Sequence, residues 1–367
     1  MPNIVITERC NLHCSYCFAN DIMSKSSKEM TMSDFNFVLD FVNKNKYSRR
    51  LGIIGGEPCL HTQFKEILQT LIRNNQVEDV TLFTNGILVD RFLKELSHKK
   101  FKLLINVNSP EDIGSKNYEK LCSNIKIMIE QYYMRDKIKL GINLYLEDFE
   151  YAYFLQLLKK YQLKDARFSI SVPNTSQWRN TDAHPYFERI KPQLKHFFSD
   201  LLKEDIHPFY DCNRMPECLM TDEDYMEFLP EKYLPQKKSV TELKQDNILN
   251  IVSKWNRCGV GVDILPDMTV RRCFGLSEYA KVNLTDFLNI EDIHNYYVNT
   301  IDSFACTSVY NRKCVDCYRR KTMLCWGGCL VFKINNILQI NKYCETIMSS
   351  NKSRLSGGKT DALSAKI

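Results

Sequence analysis

Three cysteines near the amino terminus, Cys10, Cys14 and Cys17, have the types and spacing that most directly suggest chemistry. They are separated by three and by two residues, so one short loop can bring their thiolates together. Three such thiolates can bind three irons of a [4Fe–4S] cluster and leave the fourth iron open, whereas four thiolates would close the cluster. Zinc binding and chance are the alternatives for this spacing taken alone, and the neighbouring sequence has to distinguish them.

A second motif, Gly55-Gly56-Glu57-Pro58, follows the apolar run 51–54, which is typical of a short buried strand. Two glycines allow backbone groups to approach a ligand closely, and the glutamate adds a charge. An ordinary turn between a strand and a helix is the alternative interpretation. Polar residues also follow or end the next two strand-like runs, at Asn85, Asn106 and Asn108.

A third set of cysteines lies in the C-terminal part of the chain. Its members are Cys258, Cys273, Cys314, Cys317, Cys325, Cys329 and Cys344. Taken alone, the CxxC and CxxxC pairs of this set would indicate a zinc ribbon. Two more cysteines, Cys212 and Cys218, lie upstream, where they either take part in metal binding or line a rigid loop.

The N-terminal motifs together resemble those of the radical S-adenosylmethionine (SAM) superfamily. In that family the open iron binds the amino and carboxylate groups of SAM, and the cluster's electron cleaves SAM to a 5′-deoxyadenosyl radical. The resemblance implies that Cys10, Cys14 and Cys17 hold the SAM-cleaving cluster. It also implies SAM contacts from Tyr16, Gly55, Gly56, Glu57, Pro58, Asn85, Asn106 and Asn108. The segment 106–110 reads Asn-Val-Asn-Ser-Pro, whereas many relatives have Ser-Leu-Asp-Gly-Pro, so a carboxylate is lost here.

The C-terminal cysteines resemble the SPASM domain, which carries two auxiliary [4Fe–4S] clusters. By analogy, Cys314, Cys317, Cys325 and Cys344 bind the outer cluster, and Cys258, Cys273 and Cys329 bind the inner one. The inner cluster is one thiolate short, because Val252 occupies the position of the upstream cysteine in fully ligated relatives. Either one iron is open, which favours binding of a substrate thiol and thioether formation, or Cys212 or Cys218 completes the site.

The pattern of apolar runs predicts an α/β fold over residues 1–180, with strands alternating with amphipathic helices. The predicted strands are 3–7, 51–54, 79–83, 102–107, 139–144 and 166–172. Six such units predict an open, partial (β/α)6 barrel of the TIM type, the radical SAM core, with the active site at the carboxyl ends of the strands. Residues 181–250 are interpreted as a bridging region that begins with a helix over 185–203. Residues 251–348 are the cysteine-rich SPASM domain, and 349–367 are predicted to be a disordered tail.

Composition limits the class of protein. The chain has 367 residues, of which 44% are hydrophobic, and a net charge of +6 with scattered basic residues, which does not suggest a nucleic-acid partner. No apolar run approaches the ~18 residues that cross a bilayer, and no signal peptide is visible. Fifteen cysteines, an odd number, argue against a disulfide framework and favour metal ligands in a reducing cytoplasm.

The resemblance implies an enzyme that modifies a peptide, by a thioether or another crosslink or by epimerisation. A small-molecule radical SAM dehydrogenase or epimerase is the alternative. An anaerobic sulfatase maturase is disfavoured, because Phe274 follows Cys273 where those enzymes have an aspartate, and the SAM motifs disfavour a non-catalytic metal module. Because only nine residues precede Cys10, peptide recognition is expected to use the later regions or a separate recognition protein. Flavodoxin or ferredoxin is the expected electron donor, and no catalytic side chain is assigned.

Overall fold

A ten-stranded sheet organises the protein in the computed structural model. The structure describes residues 1–17, 27–44, 49–171, 184–212, 214–216, 218, 258–276, 280–307, 312–322, 325 and 327–335. The first seven strands are β1 (Pro2–Thr7), β2 (Arg50–Gly55), β3 (Asp79–Thr84), β4 (Phe101–Asn106), β5 (Ile138–Leu144), β6 (Asp165–Ile170) and β7 (His207–Cys212). They are mutually parallel and adjacent in chain order, which confirms the prediction of an open α/β partial barrel.

Helices connect the parallel strands and cover the sheet. In the first half of the chain they are Met32–Asn43, Phe64–Arg73, Leu93–Leu96, Pro110–Ile113, Ser115–Glu130, Ala152–Lys160 and His184–Lys203. Their apolar residues recur at helical spacing, as in Phe64–Arg73, which buries Phe64, Ile67 and Leu71. Within the described ranges, no helix combines the length and apolar character that crossing a membrane requires.

Strand β7 is an addition to the six predicted strands and lies in the region interpreted as a bridge. It pairs with β6, with Asp165 opposite His207 and Ala166 opposite Pro208. A proline interrupts strand hydrogen bonding and is tolerated at a sheet edge, which is where β7 lies. Because this segment contains a proline and polar residues, its sequence does not predict a strand. The strand forms because the segment pairs with β6.

The cysteine-rich region continues the same sheet on its other side. Strand β8 (Val262–Ile264) pairs in parallel with β1, and β9 (Thr269–Arg271) and β10 (Val282–Asn283) follow in antiparallel pairing. The side chain of Asn3 donates a hydrogen bond to Asp263 across the β1–β8 pair, at 2.7 Å. The remaining helices are Ile290–Tyr297, Ser303–Thr307, Tyr318–Lys321 and Leu330–Asn335. Val252, Cys344 and the predicted tail 349–367 lie outside the described residues.

Candidate active site

The three N-terminal cysteines lie on the loop that follows the carboxyl end of β1. Each thiol is half-buried and free of any disulfide. The Cys17 amide donates to the Cys14 carbonyl at 3.1 Å, and the Leu12 amide donates to the Cys10 sulfur at 3.5 Å. Burial raises the pKa of the Cys10 and Cys14 thiols. Three accessible sulfur donors on one loop are a donor set that suits a [4Fe–4S] cluster.

The Gly-Gly-Glu-Pro loop packs directly against this cysteine loop. The Gly56 amide donates to the Thr7 carbonyl at 2.9 Å, and the Glu57 amide donates to the Arg9 carbonyl at 2.7 Å. A side chain at Gly56 has no room, because a Cβ atom there would lie 2.6 Å from the Arg9 carbonyl carbon and 2.9 Å from the Cys10 Cβ. The absence of a side chain at Gly56 thus allows this loop to pack closely on the backbone of Arg9 and Cys10.

The carboxylate of Glu57 is occupied by groups of the protein. The side chain is fully buried and accepts hydrogen bonds from the Thr84 hydroxyl at 2.8 Å, the Asn85 amide at 2.8 Å and the Cys59 amide at 3.2 Å. Burial raises the pKa of Glu57, and these hydrogen bonds oppose that effect. The carboxylate therefore joins the loops that follow β2 and β3.

Tyr16, Asn106 and Asn108 form one network beside the cysteine loop. The Asn106 amide donates to the Tyr16 hydroxyl at 2.7 Å, and that hydroxyl donates to the Asn108 side-chain oxygen. The Asn108 amide lies 3.7 Å from the Cys14 sulfur, within the distance of a hydrogen bond to sulfur. The Tyr16 ring also packs on Tyr145, with centroids 4.9 Å apart. The structure therefore brings together three of the residues that the resemblance assigned to SAM binding.

This network extends along the sheet to Asn143, Arg167 and Ser169. The Asn143 amide donates to the Asn106 oxygen at 2.7 Å, and the Asn143 oxygen accepts from Arg167 at 2.9 Å and from the Ser169 hydroxyl. On the other side of the loop, the Asn85 amide donates to Asn11 at 2.8 Å. The signal for Asn143 was a polar residue near the carboxyl end of a buried strand, one strand after Asn106.

Cys258, Cys273 and Cys329 come from three segments of the C-terminal region. Cys329 is buried, and the other two thiols are half-buried. The Arg272 guanidinium lies 3.6 Å from the Cys258 sulfur and also forms a buried ion pair with Asp302. After burial, the charges of Cys258, Cys212 and Cys273 raise the pKa of the Cys329 thiol. Sulfur donors beside a fixed positive charge form a donor set that suits an anionic iron–sulfur cluster.

Cys314, Cys317 and Cys325, expected to bind the outer cluster, are also half-buried and free of disulfides. The Cys317 amide donates to the Cys314 carbonyl at 3.4 Å, and the Cys325 amide donates to the Arg319 carbonyl at 3.0 Å. Among the described residues, no three His, Cys, Asp or Glu side chains are grouped closely enough to hold one metal ion. A cubane does not require that grouping, because each thiolate binds a different iron.

Comparison by sequence matches residues 4–172 to the profile of the radical SAM superfamily. A GTP 3',8-cyclase of Pasteurella multocida is 26% identical over 167 residues, covering 42% of this chain and 48% of the relative. A probable GTP 3',8-cyclase of Methanococcus aeolicus is 35% identical over 100 residues, covering 25% of this chain and 31% of the relative. The chain thus spans 31% to 48% of the length of these two curated relatives.

Comparison by structure finds similar folds among solved proteins. Streptococcus suis SuiB bound to the precursor peptide SuiA has a TM-score of 0.59 at 14% identity, covering 94% of this chain and 75% of that one. The same protein bound to S-adenosylmethionine has a TM-score of 0.56 at 12% identity, covering 90% and 72%. At these identities the likeness establishes the fold.

Proposed function

We propose that this chain, whose residues 4–172 match the profile of the radical SAM superfamily, is a radical SAM enzyme that modifies a peptide. The observation that carries the proposal is the set of three half-buried thiols after β1, none of them in a disulfide, on a loop held against the Gly-Gly-Glu-Pro loop. When bound, a [4Fe–4S] cluster with SAM supplies a 5′-deoxyadenosyl radical that abstracts a hydrogen atom from the substrate. Cys10, Cys14 and Cys17 hold that cluster.

The other residues of the site position SAM. Because the Glu57 carboxylate is occupied inside the protein, the loop 55–58 offers backbone groups to the methionyl part of SAM. Tyr16, Asn106 and Asn108 offer hydroxyl and amide groups from the cysteine loop and from the end of β4. Asn85 is a further polar residue of the site. Its side chain donates to Asn11 and its backbone amide donates to the Glu57 carboxylate.

Two lines of support favour a peptide substrate. The fold likeness to SuiB extends over 94% of this chain, and that protein was solved with a precursor peptide. The C-terminal cysteines that follow the radical SAM domain are expected to bind auxiliary clusters, as in peptide-modifying relatives. A small-molecule substrate is the second candidate, because the curated relatives by sequence are named as GTP cyclases and match a quarter to two-fifths of this chain.

The first prediction concerns SAM cleavage. Replacing Cys10, Cys14 and Cys17 together by alanine should abolish formation of 5′-deoxyadenosine, because no other described thiols lie on this loop. The assay uses anaerobic protein, SAM and dithionite in place of the expected flavodoxin or ferredoxin. Cys122→Ala is the matched control, since Cys122 is a half-buried thiol on the helix Ser115–Glu130. Cleavage at the normal rate by the triple variant would refute the site.

The second prediction concerns the substrate class. The probes are peptides translated from any short reading frames found beside the gene, and GTP is the matched small-molecule probe. With SAM and reductant, the peptide should change mass while GTP is unchanged, and the change should require Cys10, Cys14 and Cys17. A GTP-derived product with an unmodified peptide would replace the peptide proposal with the small-molecule one and would leave the radical SAM assignment intact.

A further inference from the structure

We propose that Cys212 is the fourth ligand of an auxiliary cluster held by Cys258, Cys273 and Cys329. This inference rests on the proposed function, because it requires that the enzyme carries auxiliary clusters. Cys212 is the last residue of β7, the edge strand of the sheet. It lies 46 positions before Cys258 in the chain, so neither local spacing nor a short motif links it to the other three.

The chain that follows Cys212 packs directly on Cys329. The Cys329 amide donates to the Arg214 carbonyl at 2.6 Å. Gly328 has a φ of +75°, and a Cβ atom there would lie 2.5 Å from the Arg214 oxygen and 2.6 Å from the Pro216 nitrogen. Met215, in the same segment, is buried in the core. The segment after β7 is therefore fixed against the backbone of Cys329.

The same region of the structure holds Cys258 and Cys273. Gly275, two residues after Cys273, packs against the side chain of Val331, two residues after Cys329. Arg272 connects to the Cys258 sulfur at 3.6 Å and to the Gly259 carbonyl at 3.1 Å.

The other remote candidate, Cys218, has a different environment. Its side chain is exposed, whereas Cys212 is half-buried at the end of a paired strand. A thiol at the end of a strand is held in place by the sheet, as a cluster ligand needs to be. Binding of iron by Cys212 releases its proton and gives the cluster four thiolates. Such a cluster can transfer electrons but has no open iron for a substrate thiol.

Cysteine alkylation measured by mass spectrometry tests this ligation in the full-length anaerobic protein. Iodoacetamide should label Cys218 rapidly and Cys212 slowly in the cluster-loaded protein. Removal of iron with ferricyanide and EDTA, followed by reduction of the cysteines with a phosphine that is then removed, should increase labelling of Cys212 by about tenfold or more, because a free thiol replaces an iron-bound thiolate. Cys218 should label equally before and after, and it is the matched control. Equal labelling of Cys212 in the loaded and iron-free protein would overturn the proposal.

Electron paramagnetic resonance provides a second measurement. In protein with Cys10, Cys14 and Cys17 replaced by alanine, the remaining signal comes from the auxiliary clusters. Excess 2-mercaptoethanol should leave this signal unchanged, because every iron already has a thiolate. Adding Cys212→Ala should make the signal change with the thiol, and adding Cys218→Ala should not. A thiol-sensitive signal with Cys212 intact would overturn the ligation, and this arm does not depend on how the Cys212 variant folds.

Two accompanying measurements separate this inference from the proposed function. Iron analysis should give about twelve irons per chain for three clusters, and about four would remove the auxiliary clusters altogether. SAM cleavage by the unmodified protein tests the N-terminal site alone. A protein that cleaves SAM but has a thiol-sensitive auxiliary signal would refute the role of Cys212 and retain the radical SAM assignment.

Discussion

At the scale of single residues, Glu57 shows how the site depends on a buried charge. Its two carboxylate oxygens accept hydrogen bonds from the Thr84 hydroxyl and from the backbone amides of Asn85 and Cys59. The side chain is fully buried, so water cannot replace a lost partner. The loop that follows β2 and the loop that follows β3 are thus joined by one side chain.

Glu57→Gln should destabilise the protein. The amide of glutamine has one acceptor and one donor group, so either orientation places its NH2 against a backbone N–H of Asn85 or Cys59. We expect a loss of about 1–3 kcal/mol in the free energy of unfolding. Glu66→Gln, at an exposed position of the helix Phe64–Arg73, should change it by less than about 0.5 kcal/mol. Denaturant unfolding measures both, and equal stabilities would contradict the role assigned to Glu57.

The grouping of residues on one loop could be predicted from the sequence, and contacts that depend on strand pairing could not. Cys10, Cys14 and Cys17 lie within eight positions of one another, so spacing alone placed them on one loop. Asn143 contributes because strand pairing brings β5 beside β4, where its amide reaches Asn106. That register depends on contacts across the whole sheet and cannot be read from one strand.

At the scale of elements, the conformation of the cysteine loop depends on the Gly-Gly-Glu-Pro loop that follows β2 and packs against it. The Gly56 amide bonds the Thr7 carbonyl, and its missing side chain leaves room for Arg9 and Cys10. The loop geometry is therefore imposed by β2 and the residues after it. A larger residue at position 56 would meet backbone atoms of Arg9, which cannot move aside by a change of side-chain rotamer.

Gly56→Ala should disrupt the N-terminal cluster. The added methyl group would collide with the Arg9 backbone, which shifts Cys10 relative to Cys14 and Cys17. We expect a loss of about four irons per chain and a matching loss of SAM cleavage. Gly259→Ala is the control, because a Cβ atom there meets nothing within 4 Å. If the Gly56 variant retained its iron and its activity, the packing of this loop would not be what positions the cysteines.

Elements with a strong apolar pattern were predicted closely, and short or polar ones were not. The predicted strand 139–144 is observed as Ile138–Leu144, and the predicted helix 185–203 as His184–Lys203. By contrast β8, Val262–Ile264, has three residues and forms because β1 offers it a partner. A three-residue segment is too short for its periodicity to identify a strand. The sequence therefore did not predict that the cysteine-rich region adds strands to the sheet of the N-terminal region.

At the scale of the whole molecule, the N-terminal region that matches the radical SAM profile and the cysteine-rich region share one continuous sheet. Strands β1 and β8 are parallel neighbours, with Asn3 opposite Asp263. Because β1 leads directly into the cysteine loop, a disturbance of this pair reaches the N-terminal site. Asp263 is buried and accepts a hydrogen bond from the side-chain amide of the half-buried Asn3 at 2.7 Å.

The carboxyl group of Asp263 makes this junction sensitive to pH. Burial raises its pKa from 3.8 to about 6, while Asn3, the Phe274 amide and the charges of Arg272 and Arg271 oppose that increase. A raised pKa means that the fold favours the protonated acid. Its contribution to stability is therefore fully present below the unfolded pKa and is lost as the pH rises through about 6.

The β1–β8 pair should consequently open more readily as the pH rises. Between about pH 5 and pH 8, we expect its local opening free energy to fall by about 1 kcal/mol in the anaerobic, cluster-loaded protein. Hydrogen exchange of the β1 and β8 amides, corrected for intrinsic exchange rates, measures this change. Asp263→Asn should remove the pH dependence. Asp267→Asn should preserve it, because Asp267 is exposed and its pKa is lowered, so it stays ionised throughout this range. Opening that is independent of pH in the unmodified protein would show that Asp263 does not titrate in the junction.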